Sequence, residues 1–309
     1  MRTRNAGATR PRWTRTALAI AGAIAVAAVG AGVSQAAGGS TAGVAEVGSY
    51  VITDTALSHW LTVANDAKQP TSGVAAAPLP VPPDYTACVA AGAKAPSGAK
   101  KTPAELKKAC ATTYSSLVNV VMNFLVEAIW VQGEASARNV TATPAQIDTA
   151  FASERTSSVP RLVTTAELNH FLAASGETIA DLKWRTLITV LADGLSAKVE
   201  KAASNVTAAQ IAAYYNAHVS QFASETVAAA TPQIKSTIAK QQEAAASTTF
   251  ERQFTTTWRS RTACRSAYMV SSCDRQLTQS TGPLGGGTYT THIVPPPTQA
   301  QTLIFKPTG

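Results

Sequence analysis

No acidic residue precedes Glu46, whereas five arginines (Arg2, Arg4, Arg10, Arg12 and Arg15) do. They are followed by an apolar run from Ala17 to Val33. A basic stretch, a short apolar core and then small residues is the layout of a secretory signal. Ser34-Gln35-Ala36 puts small residues at both recognition positions for cleavage after Ala36. The alternative is an uncleaved anchor: the run is close to the roughly 17–25 residues of a spanning helix, but it is rich in Ala and Gly rather than Leu. No cysteine follows the run closely, the first being Cys88, which argues against lipoprotein processing. No adjacent arginine pair is present, which points to the general export route. The sequence thus divides into a signal peptide or anchor (1–36), a Gly/Ser/Ala linker (37–43), a folded domain (44–275) and a Gly/Pro/Thr-rich tail (276–309) expected to be disordered.

Charge is scarce in the remainder. Only 14% of residues are charged, and the formal net charge of +8 falls to +3 without the five leader arginines. A nucleic-acid partner needs a basic patch with aromatic or groove-reading elements, and the chain after residue 36 has no such cluster, so no nucleic acid is expected. Aromatics supply 6% of the chain, and alanine carries much of the apolar count. That composition suits long, lightly packed helices rather than a dense sheet core.

Groups that carry chemistry are few. The four cysteines are Cys88, Cys110, Cys264 and Cys273. An even count in an exported chain reads as disulfides. Three pairings are possible, and closeness in sequence favours Cys88–Cys110 with Cys264–Cys273. There is no C-x-x-C, and the four histidines (His59, His170, His218 and His292) lie far from the cysteines in sequence, so no metal is expected. His59 beside Trp60 and His218 after Tyr214-Tyr215 invite a pH-sensitive or ligand role, but half-exposed positions on helix rims account for them. No Gly-x-Ser-x-Gly elbow and no glycine-rich phosphate cradle after a strand are present. Asp148, Glu154, Glu177 and Asp181 lie near helix starts, where they offset the helix dipole. No catalytic, cofactor-binding or metal-binding residue is assigned.

Hydrophobic periodicity supplies the elements. Val44–Ile52 alternates around Gly48-Ser49, as a short strand or tight hairpin. Thr53 caps a helix with Leu57, Trp60, Leu61 and Ala64 on one face. The Pro/Ala-rich stretch 69–83 breaks regular structure, and 88–101 reads as a Gly/Lys/Ala loop. Thr102-Pro103-Ala104-Glu105 opens a long helix to about Arg138, with an apolar stripe of Leu117, Val121, Phe124, Leu125, Ala128 and Ile129. Asn139–Glu154 and Asn205–Phe222 share a Val-Thr dipeptide before a helix. Between them lie helices over 164–174 and 178–203, separated by Gly176 as a C′ glycine. A last helix spans 227–261, and Tyr268-Met269-Val270 reads as strand-like.

In this order the pieces resemble the SurA/PrsA-type extracytoplasmic foldases, and more closely the secreted parvulin-type prolyl isomerases of high-GC Gram-positive bacteria. The resemblance rests on 44–53, on His59-Trp60-Leu61, and on Phe124–Ala135. It continues through Val206-Thr207 to Tyr214-Tyr215-Asn216-Ala217-His218 and Phe222, and closes with Trp258–Cys264, Tyr268 and Cys273. In that family a parvulin domain of about a hundred residues follows the equivalent of Phe222. Here Phe222-Ala223-Ser224-Glu225 runs directly into the last helix, and the isomerase histidines have no counterpart.

The resemblance therefore implies a mainly α, elongated chaperone domain of long amphipathic helices, with a small β element from the chain ends. Val44–Ile52 and Tyr268–Val270 are expected to pair. The implied partners are unfolded or exported polypeptides, held without ATP and without isomerase activity. An envelope scaffold with one fixed partner, and the non-catalytic part of an isomerase system, are the alternatives. Phe151, Phe171, Trp184, Tyr214, Tyr215 and Phe222 are the candidate polypeptide-binding groove, since exposed apolar patches mark interaction sites. At helical spacing most of them are expected to be core. Membrane contact is expected only through the N-terminal segment, if it is uncleaved.

Overall fold

A computed structural model describes residues 43–67, 77–95, 101–158, 161–222 and 225–277, together with the backbone of 292–293. The export segment and most of the linker and tail lie outside the described residues. The described fold is mainly helical, with one small sheet.

Helix starts follow local chemistry. Thr53 opens α1 (Asp54–Asp66), its hydroxyl accepting from the Ala56 amide at 3.1 Å. Reciprocal Thr-x-x-Glu/Gln/Asp caps open five more helices: α3 (Pro103–Ala137), α4 (Pro144–Ser157), α5 (Thr165–Ser175), α6 (Ile179–Ala203) and α7 (Ala208–Ala217). Each cap satisfies amides that the first helical turn leaves free. Gly176 ends α5 at φ 68, the left-handed conformation expected of a C′ glycine. Thr226 caps α8 (Val227–Ser260), which continues past Pro232.

Residues 88–94 of the stretch expected as a loop belong instead to a helix, α2 (Thr86–Lys94). Its start carries no capping side chain: Tyr85 precedes it at φ 54. No cap signal was there to be read.

The sheet order is β4-β3-β1-β2-β5, from β1 (Gly43–Val47), β2 (Tyr50–Thr53), β3 (Thr262–Cys264), β4 (Arg275–Gln276) and β5 (His292–Ile293). β1 and β2 form an antiparallel hairpin that turns at Gly48, where φ is 60. The chain ends do meet, but the partner of β1 is β3, not Tyr268–Val270. Ser266–Tyr268 is a 3-10 turn, and Val270 accepts from the Cys273 amide at 3.0 Å. The physical reason is closure: the Cys264–Cys273 disulfide folds this segment into a short loop that leaves no extended run. The sheet also claims Gln276 and residues 292–293, inside the stretch expected to be a disordered tail.

The main core gathers α1, α3, α6, the end of α8 and the sheet around Leu117, Met122, Leu125, Ile129 and Leu195. At 1.5 Å per residue α3 is about 52 Å long. It is long and apolar enough to cross a membrane, yet 61% of its apolar window is buried inside the fold. Its apolarity is therefore that of a central core helix. A second cluster joins Val206 and Phe222 to Ala230, Ile234 and Ile238 at the start of α8. A third, of Leu162, Leu168 and Phe171, underlies α5. The disulfides are Cys88–Cys110 and Cys264–Cys273, which fits an oxidising, extracytoplasmic setting.

Candidate functional site

The six candidate groove residues do not share one surface. Trp184 packs against the main core, 5.5 Å from Trp60 and 5.6 Å from Phe124 between ring centroids. Phe171 is buried in the small cluster under α5. Tyr214, Tyr215 and Phe222 pack together in the second cluster, Tyr215 stacking on Phe222 at 5.5 Å. Phe151 lies half-buried under the Arg155 guanidinium, 5.8 Å from its ring centroid. Helical spacing of large apolar residues signals burial first. These side chains therefore do not make a single groove.

An open groove lies between α4 and α6. Ala145, Gln146, Thr149, Ala150 and Ser153 line it from α4; Val190, Asp193, Gly194 and Ala197 line it from α6. Its volume is ≈ 610 Å³. Small residues recur at three-to-five-residue spacing in the lining from both helices (Ala145, Ala150 and Ser153; Gly194 and Ala197). Gly194 also lets α6 approach the α3–α4 connection, since a Cβ there would stand 2.8 Å from Val140 Cγ1. Sequence reading missed this groove because alanine and glycine signal nothing individually. The legible signal is their recurrence at 145, 150, 194 and 197.

The polar groups around this frame serve it structurally. Asp181 is fully buried: one oxygen accepts from the Thr178 amide and hydroxyl, and the other lies 3.0 Å from His59 Nε2. That link ties α1 to the start of α6, over 122 residues of sequence. Glu177 pairs with Arg185, and Glu154 accepts from the Thr186 hydroxyl at 2.7 Å. His218 stacks on Tyr214 at 4.1 Å and its Nδ1 lies 2.9 Å from the Tyr214 carbonyl. His170 is exposed on α5.

At the closing segment, Asn123 Oδ1 accepts from the Ser272 hydroxyl at 2.7 Å and from its amide at 3.2 Å. The same hydroxyl lies 3.3 Å from Glu127. Burial pushes the Glu127 carboxyl above the usual carboxylate range, with the Ser272 bond acting the other way. Tyr114 is pushed up to about 12, chiefly by burial and then by Tyr268 and Tyr85.

Among the described residues, no group of three or more His, Cys, Asp or Glu is arranged to hold a metal ion. At the start of the passage to α8 the Glu225 amide donates to the Phe222 carbonyl at 2.8 Å, and the Tyr215 hydroxyl to the Glu225 carbonyl at 2.7 Å. No protein-family model, no curated protein and no solved structure matches this chain.

Proposed function

We propose that the protein is an extracytoplasmic, ATP-independent chaperone-like protein that holds unfolded exported polypeptides and lacks prolyl isomerase activity. The observation that carries this reading is the open groove between α4 and α6, lined by alanine, glycine and valine together with Gln146, Thr149, Ser153 and Asp193. A surface of that kind offers shape and apolar area with little demand for a particular side chain, as a holder of many sequences requires. Localisation outside the cytoplasm, secreted or held at the outer face of the membrane, is supported by the basic-then-apolar leader and by the disulfides. The absence of isomerase activity is supported by the junction at Phe222–Glu225. Lowering a barrier of about 18–20 kcal/mol takes a shaped pocket, which four residues do not build.

Two assays on one preparation test the reading. Light scattering of several refolding clients falls at stoichiometric protein, while isomerisation of a proline tetrapeptide keeps its uncatalysed rate. Ala197→Trp, which fills the groove from an exposed position, removes the suppression while the far-ultraviolet circular dichroism stays unchanged. Catalysed isomerisation overturns the junction argument. Suppression that survives Ala197→Trp moves client binding elsewhere. No suppression with any client favours a scaffold with one fixed partner.

A further inference from the structure

Helix α2 packs along α3 and follows a segment anchored on the core by Leu79 and by the Asn65–Ala77 hydrogen bond, but itself adds no buried side chain. It has nine residues, none of them buried, against the roughly 12–15 a helix needs to persist alone in water. No side chain caps its start. Its contacts are with the first turns of α3: Gly92 lies over Leu106, where a Cβ would stand 3.1 Å from Leu106 Cδ2, and the Tyr85 and Tyr114 rings sit 6.2 Å apart. The Lys107–Asp84 pair spans 3.1 Å with both side chains at least half exposed, and exposed pairs contribute little. The Cys88–Cys110 disulfide is the one covalent tie. What α2 covers is apolar: Leu106 and Cys110 are 6% and 5% exposed. With Tyr114 they recur every four residues along one face of α3, a stripe that runs on toward Leu117 and Val121.

The two disulfides therefore sit in opposite settings. Cys264 and Cys273 are 0% and 4% exposed, and Cys264 belongs to the sheet. Cys88 is half-buried on an element that contributes nothing to the core. We infer that Cys88–Cys110 is a redox-sensitive tether: its reduction frees α2 and uncovers the Leu106–Tyr114 stripe while the sheet and main core stay folded. The thiolate of a dithiol reductant attacks Cys88 Sγ, the protein S–S bond breaks, and Cys110 leaves as a thiolate that takes up a proton. The reductant's second thiolate then attacks its own sulfur in the mixed disulfide and releases Cys88. Two electrons pass to the protein, and the reductant leaves as a cyclic disulfide. The inference stands on the tether's geometry and does not require the polypeptide-holding reading.

The test uses the oxidised full chain. Dithiothreitol is added under native conditions, samples are alkylated at intervals, and each cysteine pair is followed by mass spectrometry. Amide exchange of residues 104–116 is measured in parallel. The expected result is that Cys88–Cys110 opens at least about tenfold faster than Cys264–Cys273, following the access of the attacked sulfur. Exchange in 104–116 rises with it, while 245–264 keeps its protection. The proposal is overturned if both pairs open together, or if Cys88–Cys110 opens with no rise in exchange. The Cys88→Ser/Cys110→Ser variant gives a second reading without reductant: raised exchange in 104–116 supports the tether, and wild-type protection there refutes it.

Discussion

The two ends of α8 are held by different means. Its C-terminal end is locked into the main core. Trp258 packs against Gly133 of α3, so closely that a Cβ there would stand 2.0 Å from the ring. The Trp258 indole donates to Glu134 at 2.8 Å, and the Arg138 guanidinium lies 4.8 Å from the Phe250 ring centroid. Its N-terminal end rests on a local cluster in which Ile234 and Ile238 meet Val206, Tyr214, Tyr215 and Phe222. The first end is fixed by residues more than a hundred positions away, the second by its neighbours in sequence. Local packing of this kind opens more readily than a core built from distant segments.

Trp258→Ala has the largest expected effect. It removes a buried ring and leaves Glu134 without its indole donor, and it should cost about 3–5 kcal/mol of global stability, read from the urea midpoint. Ile234→Ala should cost about 2–4 kcal/mol, but the loss should appear as faster amide exchange confined to 206–239. If protection in 118–131 falls equally, α8 transmits strain along its length and the two ends are not independent.

Acidity sharpens the comparison at the closing segment. Because burial raises Glu127, the folded protein keeps this proton to higher pH than the unfolded chain does. The stabilising contribution is therefore present below the ordinary carboxylate range and is lost as pH rises through the folded value. Glu127→Gln should flatten that dependence and make the protein more stable at neutral pH, measured by thermal unfolding across pH 4–8. A variant less stable than wild type at neutral pH would show that the charged form is favoured there. The smallest expected change is at the cap of α7: Thr207→Ala should cost about 1 kcal/mol, confined to the local end, with Trp258 fluorescence unmoved.

The helix frame was legible because its starts are written in adjacent residues. Thr102-Pro103 and Thr143-Pro144 announce their helices, as do Thr53, Thr178 and Thr207, and Gly176 marks a stop. What stayed hidden depends on distant partners. β3 is buried along all three residues, so it has no alternation to read, and it is a strand because β1 lies beside it. α2 has no cap and owes its position to Cys110 on another helix. The candidate aromatics were legible as apolar residues, but their division among separate clusters follows from tertiary packing. The α4–α6 groove combines two alanine-bearing faces that nothing local connects.

The sheet carries a consequence for the order of events during synthesis. β1 pairs with β3 across more than two hundred residues, and the Gly48 amide donates to the Arg261 carbonyl at 2.9 Å. A chain emerging from its N-terminus therefore presents the β1–β2 hairpin with both edges unpaired, the β1 edge until residue 264 is clear and the β2 edge until residue 293 is. Contacts of such sequence separation form slowly, and an open edge invites strands from other chains. The interval between emergence of Val47 and of Cys264 is thus when the β1 edge most needs protection from neighbours, and the Cys264–Cys273 bond is the chemical mark that this edge is covered.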